Sequence, residues 1–230
     1  MAITARDIDQ GGLHGYLAQP ADARAGVLLL PAIFGVDAFT RAYATTLAEN
    51  GLAAAAWDPY SGLPPVADAE EGRKRAHALT DGVVVALLTR WVDHMLDDLH
   101  LDAVGVLGFC LGGRYALVHA AQDKRIKACA AAYPTIQHPP LPNQTQDALA
   151  LAARIACPVQ LLQPGHDHVT SPRIYAELRR ILYERAAPTT VQYHPAAEHG
   201  FMHRPEPEAN RTAAALASPQ VIAFLKACLA

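Results

Sequence analysis

The chain has little cysteine, no surplus of positive charge and no apolar run of membrane-spanning length, and each shortage closes off a class of function. Its four cysteines, at positions 110, 129, 157 and 228, never fall in a C-x-x-C spacing. They therefore read as separate reduced thiols rather than a zinc or dithiol redox site. Lysine plus arginine total 19 against 22 aspartate plus glutamate, a formal net charge of −3. Without a basic excess there is no field to neutralise a phosphate backbone, so nucleic acid is not an expected partner. The longest apolar run, Gly26 to Val36, is interrupted by Pro31. That is well short of the roughly 18 residues a bilayer demands, and no membrane span is expected. The first nine residues carry Asp7 and Asp9 and no apolar stretch behind a basic start, unlike a secretory leader, so the cytoplasm is the expected location. The eleven histidines form no H-x-x-x-H pair on a predicted helix and no H-x-H-x-D-H run, so no metal set is assigned.

What is present is a chain of 230 residues whose apolar fraction of 51% includes 46 alanines, with only 7% aromatic residues. The length suits one domain, taken as residues 1–230, with a core built mainly from small and aliphatic side chains. Two strand-like segments, Ile3 to Ile8 and Leu13 to Leu17, flank Gly11-Gly12 and suggest an N-terminal hairpin. Continuous apolar runs then alternate with segments of helical spacing. The runs are Gly26 to Pro31, Leu52 to Trp57, Ala103 to Leu107, Lys127 to Tyr133, Pro158 to Gln163 and Thr189 to Tyr193. The helical segments are Phe39 to Asn50, Ala69 to His100 with a break near Gly82, Leu111 to Gln122, Asp147 to Arg154, Pro172 to Arg185, and two short helices, Ala209 to Ala217 and Gln220 to Leu229. Such alternation predicts an α/β fold, a mostly parallel sheet with helices on both faces.

The chemistry concentrates at Gly108-Phe-Cys-Leu-Gly112, where a strand hands over to a helix. This G-x-C-x-G has the form of a nucleophile elbow with cysteine in the usual serine position. A sharp turn there lifts the thiol off the sheet, and the helix N-terminus favours its thiolate. A thiolate needs a base and the base an orienting acid, which in such folds follow later in the chain. Asp167, 57 residues on, follows the strand ending at Gln163, and His199, another 32 residues on, follows the strand ending at Tyr193. Both fall at the C-terminal edge of the predicted parallel sheet, where such folds place their sites. His166, His168 and His194 read as partly exposed loop residues. His14, His77, His94, His100, His119 and His138 read as surface residues, and Cys129, Cys157 and Cys228 as small core apolars.

Five blocks together carry a family resemblance: Leu30-Pro-Ala-Ile-Phe-Gly-Val-Asp-Ala-Phe39, Trp57-Asp-Pro-Tyr60, Gly108-Phe-Cys-Leu-Gly-Gly113, Gly165-His-Asp167 and Glu198-His-Gly-Phe201. In this order they resemble the dienelactone hydrolase family over nearly the whole chain. The resemblance implies an α/β-hydrolase fold and a Cys110-Asp167-His199 triad that opens an enol-lactone ring without a cofactor. The backbone amides of Leu111 and Ile33 would then form the oxyanion hole. A small-molecule ester or lactone is the implied partner. Phe34, Tyr60, Arg75, His203 and Arg204 are the residues assigned to substrate binding.

Two positions depart from the family pattern. Ala32 stands where the family carries a glutamate that contacts the resting thiol, so His199 is expected to take the thiol proton directly. The family also binds a substrate carboxylate with two arginines, one in the helix after the fourth strand and one four residues past the triad histidine. Here the latter position is His203, with Arg204 beside it, and the former region offers Arg73, Lys74 and Arg75. These departures keep two further readings open: a broader carboxylesterase or thioesterase, and a catalytically inactive α/β-hydrolase fold that binds a small ligand.

Overall fold

The computed structural model describes residues 2–230. An eight-stranded sheet runs through the molecule in the order β1-β2-β4-β3-β5-β6-β7-β8. The strands are β1 (Ile3–Gln10), β2 (Leu13–Pro20), β3 (Ala25–Leu30), β4 (Ala53–Trp57), β5 (Ala103–Phe109), β6 (Ile126–Ala132), β7 (Val159–His166) and β8 (Thr189–Glu198). The β1–β2 hairpin turns at Gly11 (φ 58°) and Gly12 (φ 74°), a left-handed pair that glycine enters without a Cβ clash. β2 lies antiparallel to β4, and every pairing from β4 to β8 is parallel. This is the α/β-hydrolase arrangement.

The continuous apolar strands follow from burial on both sides. Successive side chains alternate across a strand. Thus Leu28, Leu30, Val104, Val106 and Ala131 enter one apolar layer while Val27, Leu29, Leu107, Ala130 and Ala132 enter the other. The first layer is closed by α2 (Ala69–Ala78), α3 (Asp81–Asp93), α4 (Leu111–Ala120), α5 (Ala148–Ala152) and α6 (Pro172–Tyr183), the second by α1 (Ala38–Glu49) and α7 (Glu208–Leu229). Where four consecutive alanines of β4 contribute little volume, the rings of Trp57 and Tyr115 meet edge to face at 6.0 Å and fill the space.

The structure differs from the sequence expectation in three places. The helical stretch from residue 69 breaks at Leu79-Thr80, ahead of Gly82, and α3 ends in a π-helical turn, His94–Asp98. The last two expected helices are one, α7, running 22 residues through Pro219. A proline inside a helix costs about 3 kcal/mol. The stripe Ala213, Ala217, Val221, Ile222, Leu225 and Leu229, buried against the sheet, outweighs it. By length and composition α7 is sufficient to cross a membrane, a property that reading unbroken apolar runs overlooked because Pro219 divides it. Finally, His94 and His119 are buried, not at the surface. His119 sits on α4, which is covered on all sides, and desolvation lowers its pKa to about 4, leaving it neutral.

Candidate active site

The site begins with a local necessity. For Cys110 to leave β5 and open α4 it adopts φ 54°, ψ −112°, a conformation side chains rarely enter and one that costs of order 1–3 kcal/mol. The glycines around it are there for contact distance. A Cβ on Gly108 would lie 2.0 Å from the Gly112 carbonyl oxygen, and one on Gly112 would lie 2.1 Å from that of Leu30. Hydrogen bonds hold the strained residue on both sides: its N–H donates to the Ala132 carbonyl at 3.0 Å, and its carbonyl accepts from Arg114 N at 3.2 Å and Thr135 N at 3.0 Å. The thiol is therefore presented at the C-terminal edge of the sheet by backbone geometry alone.

Two loops bring its partners. β8 extends five residues past Tyr193, delivering His199 with Nε2 3.0 Å from Cys110 Sγ. His199 Nδ1 lies 3.0 Å from each carboxylate oxygen of Asp167. Asp167 is itself fixed: Oδ1 accepts from the amides of Val169 and Thr170, both at 2.8 Å, and Oδ2 accepts from the Tyr175 hydroxyl at 2.8 Å. Those donors leave the carboxylate one orientation, which in turn fixes the imidazole. Ring edges of Tyr133, 5.3 Å away, and His168, 5.8 Å away, pack against His199.

Charge is distributed along this line. Burial raises the Cys110 thiol pKa, but the hydrogen bond and positive charge of His199, then the Thr135 hydroxyl and the Leu111 amide, outweigh it and hold the thiol below its ordinary value. For His199, burial lowers the pKa, while hydrogen bonds to Asp167 and Cys110 and their charges raise it further, to about 9. Burial likewise raises Asp167, yet the His199 hydrogen bond and charge and the Thr170 and Val169 amides keep it below the usual carboxylate range. All three shifts favour a thiolate beside an imidazolium backed by a carboxylate.

These groups open onto a cavity of about 330 Å³. Its floor is Cys110, Leu111 and His199, and its walls include Ile33, Phe34 and Leu141. The Leu111 amide is the first of α4, and the Ile33 amide donates to no other residue among those described. Neither is tied to a carbonyl, the Leu111 amide facing Sγ at rest and the Ile33 amide unpaired among the described residues, so both can receive a developing negative charge. The Pro134-to-Asn143 loop forms one wall and is fastened to α2, Asn143 Nδ2 donating to the carbonyls of Ala76 at 3.1 Å and Leu79 at 2.8 Å. Among the described residues no three His, Cys, Asp or Glu side chains converge as they would around a metal ion.

Not every residue assigned to substrate binding faces this cavity. Arg75 does not. Its guanidinium bonds to Glu71 four residues back, donates to the Pro64 carbonyl at 2.6 Å and lies over the Tyr60 ring. Its neighbour Arg73, exposed and without an acidic partner among the described residues, lines the cavity in its place. Tyr60 lies behind the wall, outside the cavity lining, its hydroxyl donating to the Ile33 carbonyl at 2.8 Å. His203 reaches the cavity edge but is held, stacked on Phe34 at 5.1 Å with Nε2 2.5 Å from Asp37 Oδ2. Arg204 lines the cavity with no acidic partner among the described residues. His168, read as an uninvolved loop residue, is in the wall, its place beside Asp167 being the only hint in the sequence. Thr135 went unnoticed: its hydroxyl lies 3.2 Å from Sγ.

With this geometry in hand, comparison with known proteins is direct. Residues 13–229 match the model of the dienelactone hydrolase family. The chain is 33% identical over 208 residues to the carboxymethylenebutenolidase of Rhodococcus opacus, covering 87% of this chain and 80% of that protein. Among solved structures, the dienelactone hydrolase of Anabaena variabilis ATCC 29413 superposes with a TM-score of 0.65 at 24% identity, covering 97% of this chain and 98% of that one. A dienelactone hydrolase-like promiscuous phosphotriesterase from metagenomic libraries gives 0.74 at 20% identity over 100% of both chains. At these identities the structural likeness is one of fold.

Proposed function

Because the chain belongs to the dienelactone hydrolase family, we propose that it hydrolyses the ring ester of a carboxylate-bearing enol-lactone through a cysteine nucleophile and a thioester intermediate. The observation that carries this reading is the 3.0 Å approach of His199 Nε2 to Cys110 Sγ at the floor of a cavity. The substrate class follows the carboxymethylenebutenolidase relative and the two guanidinium groups, Arg73 and Arg204, that stand at the cavity without acidic partners among the described residues.

The Cys110 thiolate attacks the ring carbonyl, and the oxyanion is received by the amides of Leu111 and Ile33. Collapse breaks the ring C–O bond. The enolate leaves with the proton of His199 and tautomerises to a ketone. Neutral His199 then takes a proton from water, hydroxide attacks the thioester carbonyl, and the thiolate departs to restore the ion pair. Asp167 holds the imidazole in the required tautomer throughout. A thiolate is itself a good leaving group, so an intermediate from an alkyl ester or amide reverts. An enolate leaves as readily as the thiolate does, which is why an enol ester suits this site.

The arginine assignment has a direct test. Arg204→Ala and Arg73→Ala should each raise KM for an enol-lactone bearing a free carboxylate by about tenfold, as expected for a charge-assisted hydrogen bond at an exposed site. KM for phenyl acetate should stay unchanged. Equal effects on both substrates would remove the carboxylate-binding role. A broader esterase or thioesterase range is favoured by one departure, the small Ala32 in the cavity wall with His203 engaged by Asp37. Steady-state kcat/KM values for the lactone, phenyl acetate and an acyl thioester measured side by side rank the two readings.

The ion pair also fixes a pH profile. The thiol titrates below its ordinary value and His199 at about 9, so thiolate and imidazolium coexist between the two. Iodoacetamide should therefore alkylate Cys110 with a pH midpoint below that of an ordinary thiol. Raising pH through about 9 removes the proton destined for the enolate, so kcat/KM should fall there. An alkylation rate still climbing between pH 8 and 9 would mean that the thiol is not ionised at rest.

A further inference from the structure

We infer that Thr135 is a catalytic residue whose hydroxyl donates a hydrogen bond to the Cys110 sulfur and holds it as a thiolate. This rests on the reading of Cys110 as the nucleophile. Thr135 Oγ1 lies 3.2 Å from Sγ and has no other partner among the described residues. Other threonines behave differently. The hydroxyls of Thr40, Thr45, Thr46, Thr89, Thr170 and Thr189 all donate to backbone carbonyls. A half-buried hydroxyl that forgoes every carbonyl and faces a sulfur is placed for the sulfur.

The chain around Thr135 is built to keep it there. Its own N–H donates to the Cys110 carbonyl at 3.0 Å, tying it to the strained elbow. One residue back, the Pro134 carbonyl accepts from Thr170 Oγ1 at 2.8 Å, and one residue on, Ile136 N donates to that same oxygen at 3.0 Å. Thr170 N in turn donates to Asp167 Oδ1 at 2.8 Å. Thr135 is thus clamped between the elbow and the loop that carries Asp167, so sulfur, hydroxyl and acid move as one unit.

The need for such a donor follows from Ala32. No carboxylate stands beside the thiol on that side, and the cavity wall there is a methyl group. The groups facing Sγ are the His199 imidazole, the Leu111 amide and the Thr135 hydroxyl, with the neutral phenols of Tyr60, Tyr133 and Tyr175 farther off. Thr135 keeps its proton throughout. It stabilises the negative charge on sulfur before attack and again as the thioester breaks, when that charge returns.

The test reads the thiol itself. Cys110 alkylation by iodoacetamide is followed by mass spectrometry against pH in the full-length wild type, Thr135→Val, Thr135→Ala and Thr135→Ser. Removing the hydroxyl should move the alkylation midpoint up by about one pH unit and lower kcat/KM for phenyl acetate about tenfold at pH values below that midpoint. Thr135→Ser should keep both within about twofold of the wild type. A midpoint unchanged in the valine and alanine variants overturns the inference, as does a serine variant shifted as far as they are. The functional reading fails separately, if fully alkylated wild-type protein retains its turnover.

Discussion

Cys110→Ala should lose at least about 10⁴-fold in kcat while still binding the lactone, because removing one member of a nucleophile-base-acid unit forfeits covalent chemistry almost entirely. What remains in the variant is the cavity, the two amides and the guanidinium pair, which on the proposed reading recognise substrate and do not cleave it. Brief mixing of the wild type with substrate should give a mass adduct localised to Cys110, and the variant should give none. The same substitution separates the enzyme from a ligand-binding protein built on this fold. A binding protein would show equal affinity and no turnover in both forms. An enzyme shows turnover that vanishes with the sulfur. Residual activity within tenfold of wild type would place the nucleophile elsewhere.

The second large effect lies outside the reacting atoms. Asp81, at the start of α3, meets Arg114 of α4 in a two-pronged ion pair at 2.7 and 2.8 Å, with side chains 0% and 2% exposed. Both also bind Gln146: its N–H donates to Asp81 and its carbonyl accepts from Arg114, each at 2.7 Å. Asp81→Ala strands a buried guanidinium, for which a loss of about 3–5 kcal/mol is the usual consequence. For a chain of this size that lowers Tm by roughly 6–20 °C. Thermal melts monitored by circular dichroism measure it. The double change Asp81→Leu with Arg114→Met should recover much of the loss, since no charge is left uncompensated. A single variant that melts within 2 °C of wild type would show that solvent reaches Arg114 after all. Arg114 also donates its backbone N–H to the Cys110 carbonyl, so the destabilised variant should lose activity before it unfolds.

Much of this was legible in the sequence because it is written locally. Continuous apolar strands alternating with helical segments specify a sheet covered on both faces. Gly108-x-Cys-x-Gly112 specifies a strand-to-helix turn, and Asp167 and His199 each follow a strand directly. Other features depend on partners far along the chain. Arg73 and Arg75 are indistinguishable in a run of basic residues until Glu71 captures Arg75 one turn away, which leaves Arg73 at the cavity. Tyr60 sat in a recognisable block, yet its role depends on a bond to Ile33 across 27 residues. Thr135 carries no motif at all, and its meaning comes only from the sulfur brought beside it. Pro219 misled in the opposite way, because local propensity argued for a break that the buried face of α7 overrides.

The Asn143 tie to the end of α2 has a consequence for selectivity. A wall tied to both Ala76 and Leu79 is held against swinging aside as a hinged flap would. The aperture above the sulfur is then set chiefly by the side chains around it. Molecules are accepted or refused by fit on arrival, and exchanging a single rim residue is enough to redraw that boundary without touching the reaction below.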